Sequence, residues 1–321
     1  MPFSSFASFD VSAGERPSHQ DGWSSARREI VVGFDGSPQS RAAVEWAARE
    51  CRTRWMELTV CHVWDGPHAE REAAVTGQRR AFAGGILTDG VELAERLLPG
   101  RTVRSILARG AAGPELVSLG RTARMLVVGR RGLGGVSGVL LGSVSAHVAA
   151  YAPCPVLAVQ RPDVTPRPGS GQGPVVVGVD GSACSLAALG FALSHGRAHR
   201  LPVHVIHACA DTPHRTGRFA RSAAGEDVRR WVEEVASALE GDRRGMVVTA
   251  TVSGEPPLAA LLSHGHRASL LVVGSRGLGP LRARLLGSVS RGLLHHASWP
   301  VAVVRSHGPH GRGRELSFRE L

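Results

Sequence analysis

The sequence predicts an α/β fold built as two tandem, doubly wound, parallel sheets. Three observations predict it. Apolar strand-like runs alternate with helical patterns along most of the chain. A glycine-rich segment follows one such run in each half. It reads Gly129-Arg130-Arg131-Gly132, nine residues, then Gly142-Ser143-Val144-Ser145. The second copy reads Gly274-Ser275-Arg276-Gly277, nine residues, then Gly287-Ser288-Val289-Ser290. The halves also keep one offset: Gly33 and Gly178, Asp35 and Asp180, Gly129 and Gly274, Ser143 and Ser288 are each 145 residues apart. An offset held across elements so distant marks a tandem duplication.

Residues 1–28 mix Ser, Gly, Pro and charge without periodicity and read as a disordered leader. Glu29 to Phe34 is the first strand, and it ends in Asp35-Gly36-Ser37-Pro38. Ser37 fits a helix N-cap and Pro38 the first helical position. The helix that follows puts Ala42, Ala43, Trp46 and Ala47 on one face. Leu58 to Trp64 is the second strand, Asp65 to about Gln78 a loop, and a second helix runs to about Leu98. Thr102 to Ala108 is the third strand, ended by Gly110, and Pro114 opens the third helix. Met125 to Val128 is the fourth strand, followed by the glycine segment and a helix from Gly142. Pro155 to Gln160 is the fifth, closing a domain over residues 29–160. Residues 161–173 (RPDVTPRPGSGQG) have a linker's composition. The second domain, 174–305, restarts with Val175 to Val179 and Asp180-Gly181-Ser182, and residues 306–321 read as a mobile tail. Strands alternating with helices imply right-handed βαβ units and a sheet covered on both faces.

Length and composition agree with two domains. The chain has 321 residues, with 43% hydrophobic and 20% charged, an ordinary globular balance. No apolar run reaches the roughly 18 residues of a membrane span, and the first 28 residues lack the basic start and apolar core of a secretory signal. Five cysteines without a CxxC pair argue against a disulfide framework. The expected compartment is the cytoplasm. A net charge of +11 invites a nucleic-acid reading, but no recognition motif accompanies it. No Asp or Glu falls between Glu115 and Asp163 or between Glu255 and Glu315. Both glycine segments lie in these acid-free tracts, which favours a polyanionic ligand.

A glycine-rich loop between a strand and a helix N-terminus can hold phosphate. Glycines admit close backbone approach, and the first N–H groups of the helix have no helical partner. Ser143 and Ser288 add a hydroxyl or cap the helix. In such a sheet ligands sit beyond the carboxyl ends of strands, near the switch in strand order. Asp35, Gly110 and the Gly129 loop converge there, as do Asp180, Gly254 and the Gly274 loop. Asp35 can accept from a ribose, help hold a metal through phosphate, or cap the next turn. Arg130, Arg131 and Arg276 can contact phosphate or be solvated charges. Gly134 and Gly135 are lid or turn residues. A Walker A loop needs a Lys, and the chain has none. No GxGxxG follows the first strand, and no GxSxG or Ser/His/Asp order stands out. His264 and His266, and His295 and His296, have no metal-ligand company, so no metal site is expected.

With its G-x2-G-x9-G-[ST] signature intact in both halves, the chain resembles a tandem universal stress protein, over about residues 29–160 and 174–305. The resemblance implies an adenine-nucleotide-binding, alpha-hydrolase-like fold with strand order 3-2-1-4-5, and pairing of two units through strand five. It implies ATP, with or without Mg, as ligand. It also implies contacts from the first-strand Asp (Asp35, Asp180), the residue after the second-strand His (Val63, Ala208) and the loops Gly129–Ser145 and Gly274–Ser290. Gly33 and Gly178 belong to the same strand ends. Ala208 is the loosest match, since His-Val-Trp becomes His-Ala-Cys. The expected function is a cytoplasmic regulator of the stress response, with an unidentified regulated protein as partner. The alternative is a slow ATPase or another adenine-nucleotide enzyme of related fold. The apolar edges Val156, Leu157, Val159 and Val301, Val303, Val304 are expected to pair into an intramolecular pseudo-dimer, with a further homodimer open.

Overall fold

The structure, a computed structural model, describes residues 28–65, 73–132, 141–160, 173–208, 230, 246–277 and 286–306. The bulk of the expected leader, linker and tail lies outside the described residues, as do Gly134, Gly135 and Cys209. The first repeat runs β1 (Glu29–Gly33), α1 (Pro38–Arg54), β2 (Glu57–Trp64), α2 (Ala73–Leu97), β3 (Val103–Arg109), α3 (Ala112–Leu119), β4 (Met125–Gly129), α4 (Ser143–Tyr151) and β5 (Val156–Val159). The second runs β6 (Val175–Val179), α5 (Ala183–His199), β7 (Val203–Ala208), β8 (Val248–Ser253), α6 (Pro257–Gly265), β9 (Leu270–Gly274), α7 (Ser288–His296) and β10 (Val301–Val304).

All ten strands form one sheet, ordered β3-β2-β1-β4-β5-β10-β9-β6-β7-β8. Each repeat is therefore 3-2-1-4-5, and pairing within each is parallel. The repeats join through β5 and β10, antiparallel, with Val156 opposite Val303 and Leu157 opposite Ala302. This is the edge pairing the two apolar strands predict. It leaves a pseudo-two-fold axis normal to the sheet, and it removes two open edges that would invite aggregation.

Side chains alternate across the pleat. Ile30, Val32, Val127, Val177 and Val272 bury against one face, with Ala43 and Ala47 of α1 and Ala188 and Ala192 of α5. Val31, Leu126, Val128, Val176 and Leu271 bury against the other, with Leu116 of α3, Val148 of α4, Leu261 of α6 and Leu293 of α7. Both cores run unbroken across the repeat junction, so the junction is packed like an interior.

Local signals place the helices. Ser37 caps α1 by accepting from the Ser40 N–H at 3.1 Å, and Pro38 occupies the first turn. The helix ends at Trp55, left-handed at φ 55°, whose N–H returns to the Cys51 carbonyl. Ser182 caps α5 in the same way, and Arg200 ends it at φ 56°. A non-glycine residue in this region is uncommon; the duplication kept both. Helix α2 begins at Ala73, earlier than the expected start near Gln78. Gly77 lies inside it, and an interior glycine weakens a helix by about 1 kcal/mol without ending it. No helix among the described residues is long and apolar enough to cross a membrane.

Candidate functional site

The strand order switches between β1 and β4, and the loops after these strands meet there. After β1, Asp35 Oδ1 accepts the Ser37 N–H at 3.0 Å, and the Asp35 N–H donates to Ser40 Oγ at 3.3 Å. Asp180 repeats both bonds with Ser182 and Ser185, again at 3.0 and 3.3 Å. Gly36 and Gly181, at φ 82° and 85°, make the turn that a side chain would strain. One carboxylate oxygen thus caps the turn. The other faces the glycine loop: a methyl group on Gly132 would collide with Asp35 Oδ2, and one on Gly277 with Asp180 Oδ2.

The loops are tied at their bases. Gly142 N–H donates to the Arg130 carbonyl at 2.9 Å, and buried Ser145 Oγ donates to the same carbonyl at 2.9 Å. In the second repeat Gly287 N–H and Ser290 Oγ converge on the Ser275 carbonyl, at 2.9 and 3.3 Å. Gly129 and Gly274 let the loop backbone lie on the first turns of α1 and α5. A Cβ there would come within 2.9 Å of the Gln39 and Cys184 backbones. The first helical bond of α4 is Ala146 N–H to the Gly142 carbonyl, and that of α7 is Arg291 N–H to the Gly287 carbonyl. The N–H groups of Ser143, Val144 and Ser145, and of Ser288, Val289 and Ser290, precede those bonds and have no partner within the helix. The hydroxyls of Ser143 and Ser288 are exposed, whereas the side chains of Val144 and Val289 pack into the core.

Three expected site residues have other work. Arg130 is buried, and its guanidinium donates to the Ala297 carbonyl at the end of α7, across the repeat junction. A cation suits a helix C-terminus, and the second copy has Ser275 there. Gly33 and Gly178 give room to Leu116 and Leu261, whose methyls would meet a Cβ at 3.1 and 2.9 Å; their role is strand-to-helix packing. Arg131 and Arg276 are equivalent, and each holds a buried Nε with no hydrogen-bond partner among the described residues. Val63 and Ala208, half-buried, stand at the carboxyl ends of β2 and β7. Gly110 ends β3 at φ 144° against Glu115, while Gly254 meets open space, so the two copies diverge at this point.

One supporting residue pair was not singled out for itself in the sequence. His62 Nδ1 lies 2.8 Å from the Phe34 carbonyl, and His207 Nδ1 lies 2.9 Å from the Val179 carbonyl. A carbonyl only accepts, so each Nδ1 carries the proton. Each bond fixes the peptide just before the site aspartate. The available signal was the His repeated at the 145-residue offset. A cavity of about 420 Å³ lined by Met56, Leu98, Arg101 and Arg104 lies at the opposite, amino ends of β2 and β3. It is remote from both loops and shares none of their residues.

The chain matches the universal stress protein family twice, over residues 26–160 and 173–305. It is 32% identical over 294 residues to a universal stress protein of Mycobacterium tuberculosis (strain ATCC 25618 / H37Rv), covering 86% of this chain and 96% of that one. It is 33% identical over 303 residues to one of Mycobacterium bovis, covering 86% and 94%. In fold it is similar to the crystal structure of a universal stress protein from Archaeoglobus fulgidus, with a TM-score of 0.69 at 21% identity, covering 87% of this chain and 99% of that one. The chain belongs to the universal stress protein family, as a tandem member.

Proposed function

We propose that each repeat, 29–160 and 174–305, binds an adenine nucleotide, ATP, and that the chain is a cytoplasmic stress-response regulator that holds its nucleotide instead of consuming it. The observation that carries this reading is the doubled pairing of Asp35 with Gly132 and Asp180 with Gly277 at the strand-order switch. The carboxylate suits ribose hydroxyls, which donate to it. The N–H groups at the starts of α4 and α7, which have no partner within the helix, suit phosphate oxygens, and Arg131 and Arg276 add charge. Val63 and Ala208 offer backbone groups and apolar surface to the base. A Mg ion, when bound, would neutralise phosphate charge.

The same geometry favours storage over turnover. Fast phosphoryl transfer wants a residue that orients the attacking water and charge placed on the transferring group. The loops carry no carboxylate, and the Asp side chains are occupied at the turn on one oxygen. Backbone donors bind ground and transition states about equally, which does not accelerate chemistry. Bound ATP should outlast many minutes, far below the enzyme median of about 10 per second. The test is to denature purified protein and identify what it releases. An adenine nucleotide is the expected product. A chain that releases none and takes up no added ATP would overturn the reading.

A further inference from the structure

We infer that Glu50, His195 and His199 form a binding site for a divalent first-row transition metal, Zn²⁺ in particular, which clamps α1 of the first repeat to α5 of the second. The inference is independent of the nucleotide reading. The three donor atoms lie within 4.8 Å of one another. Glu50 Oε2 is 2.6 Å from His199 Nε2 and 3.3 Å from His195 Nδ1. His195 and His199 stand four residues apart on one helix, the spacing that puts two imidazoles on one face. Two imidazoles and one carboxylate form a donor set that suits transition metals and not Mg²⁺ or Ca²⁺.

The surroundings fit a ligand. Glu50 and His195 are buried, at 3% and 4% exposure. His195 Nδ1 lies 3.3 Å from Glu50 Oε2 yet makes no well-formed hydrogen bond among the described residues. An orphaned nitrogen of that burial costs about 1–3 kcal/mol unless something coordinates it. Arg54 pairs with Glu50 Oε1 and also donates to Ser194 Oγ at 3.1 Å. It fixes the carboxylate with Oε2 toward the imidazoles, as residues behind a metal ligand do. Trp46 stacks on His195 at 5.8 Å and holds the ring's plane. His199 keeps 21% of its side chain exposed, an access route for an ion.

The cluster sits at the junction of equivalent positions. Glu50 and His195 are equivalent, 145 residues apart, as are Arg54 and His199, and Trp46 and Phe191. Equivalent residues meet where a pseudo-two-fold axis passes. A symmetric pair of copies would face Glu against Glu and Arg against Arg. The second copy instead carries His195 and His199 where the first has Glu50 and Arg54, so the junction faces one carboxylate with two imidazoles drawn from both repeats.

The test uses the full chain, freed of metal by chelation and dialysis. Co²⁺ is titrated in as an optical probe, followed by Zn²⁺ displacement, with thermal stability read in parallel. The expected result is a visible Co²⁺ band saturating at one ion per chain, displaced by Zn²⁺ but not by Mg²⁺, and a rise in melting temperature with Zn²⁺. His199→Asn, at the exposed rim, should weaken binding more than about tenfold and abolish the stabilisation. His195→Phe, which keeps the stacking, should do the same. Absence of the band in the parent chain, or a band unchanged in both variants, would overturn the site. So would loss of the band in His264→Asn or His295→Asn, which would place the metal elsewhere.

Discussion

Arg130, in the glycine loop of the first repeat, donates to the carbonyl of Ala297, which closes the last helix of the second. Arg305, just past β10, donates in the opposite direction to the Ala150 carbonyl in α4. Each repeat thus sends one guanidinium to the C-terminal end of the other's last helix. There it meets the negative end of the helix dipole.

Replacing Arg130 with Met should therefore destabilise the chain and spare its ligand. A buried hydrogen bond to a charged group contributes about 1.5–3 kcal/mol. Denaturant unfolding should show a loss of that order, and nucleotide affinity should stay within a few fold. Arg131→Met should do the reverse. An Arg130 variant of full stability with lost nucleotide binding would return Arg130 to the site.

Removing the buried imidazole of His62 leaves the Phe34 carbonyl without its partner. His62→Ala should cost about 1–3 kcal/mol in stability. Because the bond fixes the peptide before Asp35, nucleotide affinity in the first repeat should fall too, while the second repeat is unaffected. Equal loss in both repeats would show that the effect is a general loosening of the fold.

Much of this was legible in the sequence, for physical reasons. The strands showed because both faces of the sheet are covered, which makes them near-continuous apolar runs such as Met125 to Val128. The loops showed because only glycine fits where backbone meets backbone, at Gly129, or carboxylate, at Gly132. What stayed hidden depends on contacts far apart in the chain. Arg130 looked like a phosphate contact because its partner, Ala297, is 167 residues away. Gly33 looked like a ligand cradle because nothing local says that Leu116 fills the space. Nothing local marks His195 and His199, because only the junction brings Glu50 to them.

Thiol reactivity gives a further check. Burial pushes the Cys51 and Cys61 thiols up to about 12. Burial also raises Cys184, but hydrogen bonds from Ser306, Ser275 and the Arg276 backbone outweigh it and hold this thiol below the usual range. Its thiolate is the nucleophile, so it should react with iodoacetamide well before Cys51 and Cys61 at neutral pH, as read by mass spectrometry of timed samples. Cys184 lies against Gly274, at the base of the second loop, so ATP should slow its labelling. Reaction at Cys51 or Cys61 first would contradict the placement of these side chains.

The two loops are proposed as two nucleotide sites, each dependent on a glycine, Gly132 or Gly277, that no side chain can replace. Calorimetric titration with ATP tests this most directly, on the parent chain, Gly132→Val, Gly277→Val and the double variant, each first shown to be folded. The expected stoichiometry is two ATP per chain, then one, one and none. A folded double variant that still takes up two ATP would contradict it.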